Sequence, residues 1–123
     1  MLAILAQQIR VIMIQVIGTR KCKDTRKALR FFKERSVDHH FVDLNERSLS
    51  PGELNSILQH VDADELIDVE SKQYIKRGLK NMKFDIAEEL LEDPQLLRTP
   101  IVRTKRKAVV GYAPEEWEKM RDA

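Results

Sequence analysis

Val11-Ile12-Met13-Ile14-Gln15-Val16-Ile17 is a nearly continuous β-branched run closed by Gly18, the pattern of a central strand covered on both faces. The period then changes. Over residues 23–35, Thr25, Ala28, Leu29 and Phe32 fall on one face and charged residues on the other, which predicts an amphipathic helix. Phe41-Val42-Asp43-Leu44, reached through His39 and His40, reads as a second strand. Strand, helix and strand in so short a span predict a right-handed βαβ unit with two parallel strands.

The middle of the chain reads as helical. Ser50-Pro51-Gly52-Glu53 places Ser at N-cap, Pro at N1 and Glu at N3, a capping box that opens a helix to about residue 60. Short helices are expected over 63–67 and 71–77, the latter stopped by Gly78. Phe84, Ala87, Leu90 and Leu91 mark a further helix ending near Asp93-Pro94. Ile101-Val102-Arg103-Thr104 and Ala108-Val109-Val110 flank Lys105-Arg106-Lys107 as a β-hairpin. Pro114-Glu115-Glu116-Trp117 starts a closing helix whose Trp117 is expected to pack on the sheet. The chain of 123 residues is thus expected to form one domain over 11–123, with a helical insertion over about 46–95.

Composition narrows the function class. Apolar residues make up 42% and charged residues 34% of the chain, ordinary values for a soluble globular protein. A single cysteine excludes an intrachain disulfide and a cysteine-rich zinc site, and fits a reducing cytoplasm. No segment has the apolar length to cross a bilayer, so no membrane association is expected. Met1 to Ala6 resembles a signal core but lacks a basic leader, and residues 1–10 read as an extension outside the domain. His39 and His40 are adjacent on a strand and point to opposite faces, so no metal site is expected. The net charge of +2 is too small to imply direct nucleic-acid binding. Its distribution is more informative: residues 20–35 carry eight Lys and Arg against Asp24 and Glu34, while 62–70 and 85–93 lean acidic.

The one cysteine, Cys22, lies in Gly18-Thr19-Arg20-Lys21-Cys22-Lys23-Asp24-Thr25-Arg26, at the turn from strand to helix. Backbone N–H groups and the helix dipole favour a thiolate there, and Arg20, Lys21, Lys23 and Arg26 are expected to add to the effect. Lone cysteines more often fill core gaps, but the neighbours here are charged rather than apolar. The Thr25 hydroxyl, one turn on, either hydrogen-bonds the sulfur or serves as an ordinary polar first-turn residue. Arg26 either adds field at the thiolate and guides an anion or points to solvent.

Four stretches together carry a family resemblance: Cys22 with Thr25-Arg26; Ser71-Lys72-Gln73-Tyr74 with Gly78-Leu79; Leu96-Leu97-Arg98-Thr99-Pro100-Ile101-Val102; and Val110-Gly111-Tyr112 before an acidic helix start. In this order and spacing the chain resembles the arsenate reductase-related ArsC/Spx family from about residue 12 to 120. The resemblance implies an α/β, thioredoxin/glutaredoxin-like fold: a four-stranded mixed sheet with flanking helices and an inserted helical subdomain. It also implies a cis Pro100 that turns the Thr99 backbone toward Cys22, an edge able to pair with a peptide or glutathione. Arg98, Arg103 and the Lys105-Arg106-Lys107 turn then become candidates for attracting a carboxylate.

The family holds two activities, and this chain departs from both patterns. Glutaredoxin-coupled arsenate reductases hold the oxyanion with three arginines, whose places here are taken by Asp68, Thr99 and Tyr112. Without one charge-assisted hydrogen bond to the anion, binding weakens by about 1.5–3 kcal/mol. Efficient arsenate reduction is therefore not expected, although Arg98 or Arg103 would offset part of the deficit if either reached the anion. Spx-type regulators bind RNA polymerase and often sense oxidation through Cys-x-x-Cys, but the second position is Thr25. The leading expectation is a single-cysteine thiol oxidoreductase with Cys22, Thr25 and Arg26 catalytic and Arg98, Thr99 and Pro100 binding substrate. No cofactor is expected to be bound. Glutathione would serve as co-substrate, and glutathione or glutaredoxin would resolve the intermediate. A non-catalytic regulator docking on RNA polymerase is the alternative.

Overall fold

The computed structural model describes residues 13–122; the extension assigned to residues 1–10, and the first two residues of the opening apolar run, lie outside them. The chain folds as β1 (Ile14–Gly18), α1 (Lys23–Glu34), β2 (His39–Asp43), α2 (Pro51–Leu58), α3 (Ala63–Leu66), α4 (Lys72–Arg77), α5 (Ile86–Glu92), β3 (Ile101–Arg103), β4 (Ala108–Val110) and α6 (Pro114–Asp122). Two 3₁₀ turns that the sequence pattern does not announce, Leu79–Asn81 and Pro94–Leu96, join the short helices.

The sheet is mixed and runs in the order β2-β1-β3-β4. β1 pairs in parallel with β2, from Ile14 beside His39 to Gly18 beside Asp43. It pairs antiparallel with β3, with Ile17 beside Ile101, and β3 turns back antiparallel onto β4. This register puts the C-terminal end of β1 and the start of β3 at the same end of the sheet. Alternation of side chains then divides the core in two. Ile14, Val16 and Val102 pack with Ala28 and Phe32 of α1 and with Trp117 and Met120 of α6. Ile17, Val42, Leu44 and Ile101 pack with residues of the helical insertion, among them Leu54, Ile57, Leu66 and Leu90. Trp117 lies against the sheet as its sequence context predicts, with Phe31 and Tyr112 edge-on at ring-centroid distances of 5.5 Å each. Among the described residues no helix is long and apolar enough to cross a membrane.

Local signals in the sequence account for most element ends. Ser50 accepts from the Glu53 N–H while the Glu53 carboxylate accepts from the Ser50 N–H, completing the capping box. Gly78 ends α4 with φ 66°, left-handed backbone that a Cβ disfavours. The end of α1 has no such signal. Ser36 takes φ 55° there, and the Val37 N–H returns to the Phe32 carbonyl, a Schellman closure made without the usual glycine.

Arg103 does not reach the Cys22 end of the sheet. It sits beside Gln15, donates from Nη1 to Gln15 Oε1 at 2.8 Å, and from Nη2 to Ser56 Oγ at 3.1 Å. Its role is to tie α2 to the sheet, so it is not available to hold an anion or a carboxylate at the cysteine. The Lys105–Lys107 turn follows it, also at the far end of β3, and Lys107 pairs with Glu116 of α6.

Arg47 and Glu53 form a two-pronged ion pair at 2.8 and 2.9 Å where the chain enters α2. The Arg47 guanidinium, against a smaller opposing effect of burial and with help from Ser50, holds the Glu53 carboxyl down at about 2 from an ordinary 4.5. A depressed folded-state value stabilises the protein above the unfolded value, near pH 4.5, and this contribution is lost as pH falls through about 2. Arg47→Ala is expected to cost on the order of 1 kcal/mol at pH 7, discounted for the exposed arginine. The difference from wild type should vanish near pH 2, as checked by denaturant titration at both pH values.

Candidate active site

The site starts from a tight turn. β1 ends at Gly18, and the Cys22 N–H donates to the Thr19 carbonyl at 3.1 Å, which brings the chain round into α1. Cys22 is the N-cap residue of α1, with extended backbone (φ −78°, ψ 120°). Its carbonyl accepts the Arg26 N–H at 3.1 Å as the first bond of the helix. The sulfur therefore lies where a capping oxygen would sit, over the unpaired N–H groups of the first turn.

Thr25 anchors this arrangement. It is fully buried, unlike an ordinary polar first-turn residue, and packs on the α-carbon of Gly18. A Cβ at position 18 would stand 2.3 Å from Thr25 Oγ1 and 2.8 Å from Thr25 Cγ2. Only glycine permits that approach, and the approach holds α1 close to the end of β1. Thr25 Oγ1 has no hydrogen-bond partner apart from the neighbouring Cys22 sulfur that it favours as a thiolate. A buried, unsatisfied hydroxyl is costly, and ionising Cys22 supplies it with a stronger acceptor.

The opposite wall comes from β3. The Thr99-Pro100 bond is cis, and the half-buried Cys22 thiol points at the Thr99 carbonyl with Sγ 3.6 Å from the oxygen. Pro100 itself is buried, and its carbonyl accepts the Gly111 N–H at 2.8 Å, which fixes this edge against the turn after β4. Burial pushes the Cys22 thiol up, but hydrogen bonds outweigh it: the Thr25 and Thr99 hydroxyls, then the N–H groups of Thr25 and Asp24, hold it below the ordinary value. These donors serve the thiolate better than the thiol.

None of the four basic neighbours is among the groups that hold the thiol down. Arg26 Nη1 donates to the Arg20 carbonyl at 2.7 Å. The Arg20 guanidinium lies over the Phe41 ring, 4.8 Å from its centroid. Both side chains line a groove between α1 and β2, and Lys21 and Lys23 are exposed. The expectation that these charges tune the sulfur is therefore corrected: dipoles and hydroxyls do it, since exposed charges are screened by water. Arg98 is also held elsewhere. Its N–H bonds the Leu66 carbonyl at 2.7 Å and its Nε bonds the Glu65 carbonyl at 3.1 Å, so it braces α3. Asp68 accepts the Glu70 N–H in a local turn, and Tyr112 packs on Trp117 beneath the Lys27 ammonium. The structure thus brings Cys22, Thr25, Thr99 and Pro100 together and turns Arg26 and Arg98 to other contacts. Gly18 is a site residue that the sequence pattern does not single out. Its one signal is a place four positions before the cysteine, where the β-branched run marks it only as the end of a strand.

Gly18→Ala is expected to cost about 1–3 kcal/mol through overpacking and to raise the Cys22 pKa by displacing the Thr25 hydroxyl. Thr25→Ala alone should also raise it. Adding Thr25→Ala to Gly18→Ala should recover most of the lost stability, because the clashing Oγ1 and Cγ2 are then absent. Thermal unfolding and alkylation rates measured against pH check both points.

The ArsC family model matches residues 17–120 of the chain. In sequence the chain is 27% identical over 112 residues to the global transcriptional regulator Spx 2 of Bacillus anthracis, spanning 87% of this chain and 86% of that protein. Among solved structures, an arsenate reductase from Vibrio cholerae superposes with a TM-score of 0.76 at 19% identity, covering 90% of this chain and 99% of that one. An arsenate reductase (ArsC) related protein from Brucella melitensis gives 0.64 at 21% identity, covering 87% and 92%. At such identities the structural matches speak for the fold, which is thioredoxin/glutaredoxin-like. With the sheet order, the cysteine at the head of α1 and the cis-proline before β3 in place, the match over residues 17–120 makes this chain a member of the ArsC family.

Proposed function

We propose that the protein is a single-cysteine thiol oxidoreductase that works with glutathione or glutaredoxin. The observation that supports this reading is the Cys22 sulfur. It is half-buried at the N-cap of α1, faces the Thr99 carbonyl at 3.6 Å, and is held below the ordinary thiol value by two hydroxyls and two N–H groups. A packing cysteine needs none of these donors.

The chemistry follows from there being one thiol. The Cys22 thiolate attacks the glutathione sulfur of a mixed disulfide R–S–S–G, the Cys22–S–S–G bond forms, and R–S⁻ leaves. A second glutathione thiolate, or that of glutaredoxin, then attacks the glutathione sulfur and releases Cys22 as thiolate. Two electrons pass from the external thiols to the substrate, and a new disulfide carries the oxidised product away. Thr99 and the backbone before Pro100 offer the edge on which the glutathione peptide would lie, while Thr25 and the first-turn N–H groups stabilise sulfur as the leaving group. Arsenate is a poor substrate in this reading, since Asp68, Thr99 and Tyr112 supply no guanidinium and Arg98 and Arg103 are bonded elsewhere.

A second reading draws on the relatives described as global transcriptional regulators: a regulator that docks on RNA polymerase and turns nothing over. The two readings separate experimentally. Oxidised glutathione should add one glutathione per native chain, reversibly, and Cys22→Ser should abolish the adduct, as intact-mass spectrometry would report. Alkylation followed against pH should give a thiol pKa below that of the denatured chain. Native protein that resists modification while denatured protein accepts it would defeat the oxidoreductase reading. Retention of RNA polymerase by wild type and Cys22→Ser alike, without turnover of a glutathione mixed disulfide, would support the regulator. With glutathione and glutaredoxin supplied, arsenate turnover should be at least about a hundredfold below that of an arginine-bearing family reductase, given about 1.5–3 kcal/mol for each absent guanidinium.

A further inference from the structure

Arg20 and Arg26 belong to a larger group of cations beside β2. Arg20, Arg26, Arg30 and Lys33 line a groove of about 490 Å³ between α1 and β2, together with His39 and Phe41. No acidic residue lines it. Two neighbouring bases are treated differently: Lys27 of α1 pairs with Asp24, and Arg35, just past the end of α1, pairs with Glu118 of α6. Among the described residues none of the four groove cations has an acidic partner within ion-pair distance. Two are also fixed in place, Arg26 by the Arg20 carbonyl and Arg20 by the Phe41 ring.

The other wall of the groove is a strand edge. β2 is the outermost strand of the sheet. Leu44 donates its N–H to Gly18 across the β1–β2 pair. Backbone groups alternate sides along a parallel strand, so Val42 and His40 also face β1. The N–H and C=O groups of His39 and Phe41 therefore face outward, and among the described residues no backbone hydrogen bond occupies them. Strand edges of this kind receive extended peptides. Their side chains, at i and i+2, line the groove on the α1 side.

We propose that this groove binds an extended acidic peptide segment that adds to the outer edge of β2. The spacing supports the match. Arg26, Arg30 and Lys33 follow one another at i, i+4 and i+7 on a single helix face and span about 10 Å of helix. A strand rises about 3.3 Å per residue, so acids at alternate positions, about 6.6 Å apart, fall along that row. Main-chain bonds to His39 and Phe41 fix register, and the carboxylates pair with the helix. The same four cations repel a basic strand, so the edge is selective. This site is independent of the reading of Cys22, because neither sulfur chemistry nor Thr99 enters it.

The test uses the whole protein and a blocked hexapeptide of alternating Glu and Thr, followed by amide NMR and hydrogen exchange. The His39 and Phe41 amides should shift and gain protection on binding. Those of His40 and Val42, which already face β1, should gain little. Arg30→Glu with Lys33→Glu should weaken binding about tenfold or more, and Arg30→Gln with Lys33→Gln severalfold, with the native circular dichroism spectrum and the Cys22 alkylation rate unchanged in both. Rising salt should weaken the wild-type complex. Unprotected His39 and Phe41 amides, equal binding of the alternating Lys and Thr peptide, or an affinity indifferent to both double substitutions would overturn the proposal. Tighter binding of orthophosphate or a short oligothymidine at the same amides would also overturn it.

Discussion

The contact between Thr25 and the α-carbon of Gly18 is the constraint on which the site depends. A strand end and the first turn of a helix are brought closer there than any side chain at position 18 would allow. That approach sets where α1 begins, and the start of α1 sets where the Cys22 sulfur lies relative to the first-turn N–H groups. It also buries a hydroxyl with no partner other than the sulfur, which it favours as a thiolate. Packing and acidity are thus one interaction seen from two sides. A void or a methyl at this point changes both the strand-helix distance and the thiol.

The second wall is built by a different device. β3 runs antiparallel to β1, so its first residues arrive at the end where β1 leaves the sheet. The cis bond before Pro100 sets Thr99 against the sulfur, and the Gly111 bond to the Pro100 carbonyl holds that segment to the hairpin. Thr99 contributes two groups, a carbonyl that accepts the thiol and a hydroxyl that favours the thiolate. The sulfur therefore has a partner in either protonation state.

Charge in this protein is organised by solvent rather than by the sulfur. Hydroxyls and N–H groups act at hydrogen-bond range within a half-buried pocket, where their dipoles are weakly screened. The guanidinium and ammonium groups around it stand in water. Those of Arg20 and Arg26 are turned into the groove beside β2 and Arg98 is held against α3, while the part-buried Arg103, away from the sulfur, is bound as a clamp between the sheet and α2. An arginine near a cysteine in sequence is therefore no guide to the cation near its sulfur. One frame is shared by proteins described as reductases and as regulators.

The order of elements was legible in the sequence because period, caps and breakers act locally. The β-branched run before Gly18 marks β1, the spacing of Thr25, Ala28 and Phe32 marks α1, and Ser50-Pro51-Gly52-Glu53 marks α2 with its capping box as formed. The placing of Cys22 at a strand-to-helix turn and the cis bond at Pro100 were also readable, the latter through family resemblance rather than from local preference. The two 3₁₀ turns were not, because Gly78 and Pro94 beside them read only as the ends of helices, and the left-handed Ser36 was not, because no glycine stands there. The tertiary structure alone decided what the charged side chains do. Sequence distance puts Arg26 one helical turn from the cysteine, but a helix turns about 100° per residue and a long side chain follows the nearest free carbonyl or ring. Register likewise carried Arg103 to the far end of β3 and brought Gly18 onto Thr25. Such facts depend on which strands pair and how closely a helix lies on them, and no local pattern encodes that.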